Sequence, residues 1–274
     1  MGAVRFSIDP VLIQILKEAL RVDVFVETGT FEGQTIETVM PFFEEIHTCE
    51  ASEHLHAEVT KRFTGVDKVH SVLGDSGRIL VDLMPRLRNR SVLFWLDAHW
   101  CADEQTAGAH SQCPLLDELE AINELNAQSV IVIDDARLFF CAPPKPYEVD
   151  QWPGFDTVLR KLHKLRRDHE VMAVNDMLIF HPPQIRQHLK SYAHEHSIDW
   201  LAVLDKGRGY DEVLKQSKEK ETEILELKRS AEERMRVIDW LHEDIDRLKS
   251  SYYYRLGYML LSPLVTIKNR FFPN

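Results

Sequence analysis

Cysteine is scarce in this chain: four residues in 274, at positions 49, 101, 113 and 141, with no regular spacing. Such a set offers no disulfide framework. Residues 1–9 hold no apolar signal-peptide core, so free thiols in a reducing cytoplasm are expected. Cys101, His110 and Cys113 match no established zinc-ligand spacing, and a fourth ligand is not evident. No uninterrupted apolar stretch reaches the roughly 20 residues that span a bilayer. Cationic residues are outnumbered, 33 Lys and Arg against 44 Asp and Glu, for a net charge of −11. The first 200 residues lack a basic patch interleaved with aromatics, and binding to nucleic acid needs clustered cations to neutralise phosphates. No nucleic-acid partner is expected. The glycine pattern G-x-G-x-x-G is absent as well, which counts against a nicotinamide-binding domain.

What is present is an apolar fraction of 44%, enough to bury a proper core, arranged in alternating short apolar runs and helical patterns. That alternation is the signature of βαβ units and a parallel sheet. Residues 22–27, 46–50 and 69–73 read as strands. The runs 91–96 and 129–133 read as strands buried on both faces, being almost continuously apolar. Helices are expected over 11–19, started by Asp9-Pro10, and over 34–43, 53–63, 114–126 and 155–167. Residues 170–180 supply one or two antiparallel edge strands. The expected fold class is α/β: a doubly wound, mostly parallel, Rossmann-like sheet over residues 1–205.

After about residue 205 the pattern changes. Ile224, Leu227, Ala231, Ile238, Leu241, Ile245, Leu248 and Tyr252 follow alternating three- and four-residue steps, interrupted by Arg234, with charged residues around them. This is a heptad seam. A coiled coil over 206–252, and through it a homo-oligomer, is expected. Residues 253–274 carry only cationic charges (Arg255, Lys268, Arg270) among tyrosines and aliphatics. Broken by Pro263, this tail suits peripheral contact with a membrane surface, or a partner groove, rather than a span.

Ligands of doubly wound sheets bind outside the carboxyl ends of the strands, where the strand order reverses. The residues at the expected strand ends form a series. The first strand ends in Glu27-Thr28-Gly29-Thr30-Phe31-Glu32-Gly33, the second in Glu50 and the third in Gly74-Asp75-Ser76. The fourth ends in Asp97 and the fifth in Asp134-Asp135. In order and spacing this series resembles the class I S-adenosylmethionine-dependent methyltransferases, over roughly residues 20–180. The resemblance implies S-adenosylmethionine as cofactor. Glu27, Gly29, Thr30 and Gly33 would then hold its methionine end, Glu50 its ribose, and Asp75 with Ser76 its adenine. Thr30 stands where that family often has a third glycine.

Trp95-Leu96-Asp97-Ala98-His99-Trp100 and Ile133-Asp134-Asp135 would bring three carboxylates together, and anions so close call for a cation. Asp97, Asp134 and Asp135 are thus candidate ligands for magnesium, which favours oxygen donors and could lower the pKa of a bound substrate hydroxyl. These two motifs resemble those of the metal-dependent sugar O-methyltransferases of macrolide biosynthesis. His99 is placed to act as general base beside Asp97. The acceptor expected is a hydroxylated small molecule or glycan, with a sugar hydroxyl of a bacterial surface polysaccharide preferred. The site would then be cytoplasmic, or peripheral at the inner face of the membrane. Methylation of a small natural product, a scaffold built on a degenerate cofactor binder, and a nicotinamide oxidoreductase are the rival readings.

Overall fold

A computed structural model describes residues 7–101 and 111–271, side chains of Asp211 and of 262–271 excepted. His110 and the cationic residues Lys268 and Arg270 therefore fall outside the described side chains. The chain divides into two compact units, residues 1–198 and 199–274.

The first unit opens with α1 (Pro10–Ala19), whose start is fixed by Asp9, which accepts from the Val11 N–H at 3.0 Å while Pro10 occupies the first turn. There follow β1 (Val24–Thr28), α2 (Gln34–Val39), β2 (Glu45–Glu50), α3 (Glu53–Arg62) and β3 (Val69–Leu73). Next come α4 (Ser76–Leu87), β4 (Val92–Leu96), α5 (Leu115–Ile122), β5 (Val130–Ile133) and the short α6 (Arg137–Phe140). The unit ends with α7 (Phe155–Leu165), β6 (Glu170–Val174), β7 (Met177–His181) and α8 (Arg186–His196).

The strands form one seven-stranded sheet in the order β3-β2-β1-β4-β5-β7-β6. β1 to β5 run parallel, and β7 lies antiparallel to both β5 and β6. The fold is the expected doubly wound, mostly parallel, Rossmann-like sheet. Only β6 of the expected antiparallel pair forms an edge; β7 is inserted between it and β5. Three helices of this unit, α4, α6 and α8, go beyond the expectation. α4 begins at Ser76, the last residue read as the close of the third strand, and runs on through residues for which no element is expected. It is capped by Asp75, which accepts from the Arg78 N–H at 3.0 Å. α8 packs against α1 through Tyr192, which donates to Asp9 at 3.0 Å.

Every residue of β1, β4 and β5 is buried, because helices cover both faces. On one face Val26, Phe94, Leu96, Ile131 and Ile133 meet Leu80, Leu119 and Leu162 of α4, α5 and α7. On the other, Phe25, Leu93, Trp95 and Val132 meet Leu12 and Leu16 of α1 and Leu189 of α8. Side chains alternate between these faces along each strand. At about 25 cal/mol per Å² of apolar surface this double burial is the main force holding the sheet's centre. Chain order reverses between β1 and β4, and both strands deliver their carboxyl ends to the same edge.

The second unit consists of α9 (Trp200–Ser250), 51 residues long, and α10 (Tyr252–Phe271). Asp199 caps α9 by accepting from the Leu201 and Ala202 N–H groups. At 1.5 Å per residue α9 is about 75 Å long. Among the described residues no helix is long and apolar enough to cross a membrane.

Candidate functional site

The turn after β1 is shaped by two left-handed glycines that do different work. Gly29, at φ +80°, lies against the end of β4: a Cβ on it would sit 2.4 Å from the carbonyl oxygen of Asp97. Its N–H and that of Thr30 donate to the Cys49 carbonyl at the end of β2, at 3.0 and 3.2 Å. Gly33, also at φ +80°, starts α2, and a Cβ there would meet the Phe63 ring at 2.8 Å. Gly29 therefore lets the turn lie directly against the end of β4, whereas Gly33 lets α2 close on the end of α3.

Glu50 sits at the end of β2 with its two oxygens held apart: Oε2 accepts from the Phe31 N–H and Oε1 from the Ser52 N–H, both at 2.9 Å. Each oxygen keeps a lone pair for a further donor. Phe31, at φ +48°, accepts a backbone conformation disfavoured for its type to present that N–H. Gly29, Thr30, Glu50, Asp75, Ser76, Asp97 and His99 all line one cavity of about 420 Å³. Glu27 and Gly33 are not among its lining residues. Glu27 is buried beneath the turn, accepting from the Thr48 hydroxyl at 2.7 Å, and Thr48 in turn pairs with the Thr30 hydroxyl at 2.5 Å. Burial pushes the Glu27 pKa up to about 8 against the opposing bonds from the Thr48 and Thr35 hydroxyls, so a neutral carboxyl supports the turn from below.

Beside this cavity stands a charge cluster. His99 Nε2 lies 3.2 Å from Asp135 Oδ2 and 3.5 Å from Asp97 Oδ1. Burial alone would lower the His99 pKa, but the Asp135 bond and the Asp97 charge outweigh it and hold it above the ordinary value. Asp135 responds the other way: despite burial, the His99 bond and Arg137 keep its pKa low. Arg137 donates to Asp135 Oδ1 at 2.6 Å and also pairs with Asp176. Asp97 is raised, chiefly by burial. The Nε2 and one oxygen each of Asp97 and Asp135 lie within 4.8 Å of one another, close enough to share a cation.

Asp134 does not join that cluster. Adjacent strand residues point to opposite faces, and Asp134 continues the alternation of Val130 and Val132 on the α1–α8 side. Its Oδ2 is buried without a hydrogen-bond partner among the described residues, and the residue lines a second cavity of about 310 Å³ with Trp95 and Asp176. Burial, with Asp97 and Asp135 nearby, raises its pKa well above the usual carboxylate range. Asp135 reaches His99 because its own backbone turns to φ +51°. Among the described residues, the group close enough to share a cation is thus Asp97, His99 and Asp135, one nitrogen and two carboxylates, rather than three carboxylates.

Two features escaped the sequence reading. Glu118, on the inner face of α5, is 1% exposed, and burial raises its pKa to about 7 despite bonds from Ser76 and Thr28. Its signal was present: 115, 118, 119 and 122 share one helical face, and a glutamate among apolar residues there needs a reason. The second feature is an aromatic wall. Trp152 and Phe139 stand 5.7 and 6.1 Å from the His99 ring, and Tyr147 lies 5.2 Å from Trp152 and 5.7 Å from Trp100. Gln112 ties this wall together. Its Oε1 accepts from Trp152 Nε1 at 3.1 Å and from the Glu148 N–H at 2.8 Å, while its carbonyl accepts from Trp100 N–H.

No protein-family model matches the chain, and no curated protein matches it. Solved structures do. A S-adenosylmethionine-dependent methyltransferase from Clostridium acetobutylicum is 11% identical, covers 63% of this chain over 88% of its own, and gives a TM-score of 0.41. Human methyltransferase-like protein 13, in complex with SAH, is 15% identical over 67% and 86% of the two chains, with a TM-score of 0.42. The sugar N-methyltransferase KedS8 from a Streptoalloteichus species is 10% identical over 63% and 84%, again at 0.42.

Proposed function

We propose that the chain is an S-adenosylmethionine-dependent methyltransferase acting on a hydroxyl, with a sugar hydroxyl of a surface polysaccharide or related glycan as acceptor. One observation carries this reading. Gly29, Glu50 and Asp75, from three successive strand ends, line a single cavity together with Asp97 and His99. The residues fit the cofactor. Gly29 leaves room where a side chain would strike the backbone of β4. Glu50 keeps acceptor capacity for a diol beyond its two backbone bonds, and Asp75 keeps an oxygen beyond its capping bond for an amino group.

The cofactor supplies a methyl group on a sulfonium, so transfer is an in-line displacement: the acceptor oxygen bonds to the methyl carbon as the carbon–sulfur bond breaks. The chain's work is alignment and removal of the acceptor hydroxyl's proton, which the Asp97–His99 pair at the cavity wall would take up. His99 faces both carboxylates with one nitrogen, which therefore carries a proton between them or shares a cation with them. An imidazole among the donors favours a transition-metal ion such as zinc over magnesium, which prefers oxygen ligands. A divalent ion held by Asp97, His99 and Asp135 would lower the pKa of a hydroxyl bound to it. Trp100 lines the cavity with half-buried Tyr147 against it, an aromatic surface of the kind that packs against a sugar ring, and Trp152 and Phe139 are buried behind His99. The acceptor's attachment to a membrane-linked glycan is supported by a tail whose only charges, Arg255, Lys268 and Arg270, are cationic.

The test is incubation with methyl-labelled S-adenosylmethionine and a panel of mono- and oligosaccharides, with Asp135→Asn as control. Label transferred to a sugar by the native chain and not by the variant is the expected result. Transfer to amines alone would overturn the hydroxyl assignment.

A further inference from the structure

α9 cannot be satisfied alone. Ile224, Leu227, Ile238, Leu241, Ile245 and Leu248 lie along one seam of it, and each remains between 44% and 63% exposed. In the heptad they define, Ile224, Ala231, Ile238 and Ile245 take the a positions, and Leu227, Arg234, Leu241 and Leu248 the d positions. We infer that the seam is covered by the same helix of a second copy of this chain, running parallel and in register as a two-stranded coiled coil.

Three features choose this arrangement. β-Branched residues at a with leucine at d favour two parallel strands over three or four. The flanking charges then decide direction. The g positions include Glu223 and Asp244, and the e positions five residues further on are Lys228 and Lys249. Parallel and in register, Glu223 of each helix faces Lys228 of the other, and Asp244 faces Lys249, so opposite charges meet on both sides of the seam. The antiparallel register that also matches the apolar residues sets Ile224 against Leu248. At that register the nearest flanking neighbours pair Glu223 with Ser251, Asp244 with Ser230 and the e-position Glu221 with Lys249, so it gains two opposite-charge contacts where the parallel dimer gains four. Finally, Arg234 is the single charged residue at d. A lone polar residue in the seam fixes register at a cost in stability. Two guanidinium groups can splay outward on long stems, whereas three or four converging on one axis cannot all escape.

This inference is independent of the methyltransferase reading. Its test is sedimentation equilibrium of the full-length chain, with twice the 31.9 kDa chain mass expected. The paired substitution Glu223→Lys with Asp244→Lys should raise the dimer dissociation constant by about tenfold or more. Adding Lys228→Glu and Lys249→Glu should restore it. Oxidation of an Ile224→Cys chain should give a 224–224 crosslink absent from the native chain. A monomer, trimer or tetramer would overturn the proposal. Unchanged affinity in the paired variant, or a crosslink found only when Ile224→Cys and Leu248→Cys chains are mixed, would establish the antiparallel arrangement instead. All these side chains are on the surface of the helix, so the variants keep the fold of the first unit.

Discussion

The carbonyl oxygen of Asp97 lies where a Cβ of residue 29 would stand, 2.4 Å from it. That oxygen belongs to the end of β4, which the sheet's own hydrogen bonding fixes, so the neighbour cannot give. Gly29→Ala therefore combines a backbone clash with a left-handed φ, and should cost about 2–4 kcal/mol of stability. Cofactor affinity should fall with it. Gly65 is the control: its φ is +83° and nothing lies within 4 Å of its Cβ position. Gly65→Ala should cost about 1 kcal/mol and leave binding unchanged. Equal effects at both positions, measured by thermal melts and ligand titration, would remove the special role of Gly29.

Glu50 both shapes the turn and faces the ligand. Glu50→Ala frees the Phe31 and Ser52 N–H groups and removes the diol acceptor. Affinity for S-adenosylhomocysteine should drop by roughly 10–100-fold. Unchanged affinity by calorimetry would take the ribose role from it.

The neighbouring aspartates at the end of β5 should behave differently. Asp135→Asn strips the charge partner from His99 and Arg137 and should reduce turnover by about 100-fold or more. Asp134→Asn exchanges a raised-pKa carboxyl for a neutral amide of the same shape. It should leave more activity than Asp135→Asn and cost little stability. Equal loss of turnover in both variants would put Asp134 back among the catalytic groups.

Glu27 predicts a pH dependence. Its pKa is about 8 in the folded chain against 4.5 when unperturbed, so between these values the folded state holds a proton that the unfolded state has lost. The resulting stabilisation is full below the unfolded pKa and is lost as pH rises toward 8. While this group titrates alone, stability should fall by about 1.4 kcal/mol per pH unit. Glu27→Gln should flatten that slope in denaturant titrations across this window. A native slope no different from the variant's would mean Glu27 is ionised.

The sheet could be read from sequence because its central strands are apolar runs long enough to be buried on both faces. The strand ends could be read for the same reason: polar residues begin where Val26, Leu96 and Ile133 stop. α4 was hidden because Gly74-Asp75-Ser76 looks like a loop, although Asp75 is at once strand terminus, helix cap and cavity wall. Sequence adjacency suggested that Asp134 and Asp135 act together, but the pleat separates neighbours, and only the positive φ of Asp135 brings it to His99. Gln112 and Trp152 reach the site from segments outside the strand ends, so no local pattern announces their proximity, whereas Glu118 carried a local signal as the glutamate on the apolar face of α5.

The central claim is tested most directly by calorimetric titration of the full-length protein with S-adenosylhomocysteine, with and without a divalent cation, and with NADH in parallel. Saturable binding of S-adenosylhomocysteine, none of NADH, and loss of the former in Glu50→Ala is the predicted result. No binding of S-adenosylhomocysteine, or preference for NADH, would contradict the account and reassign the strand-end acids.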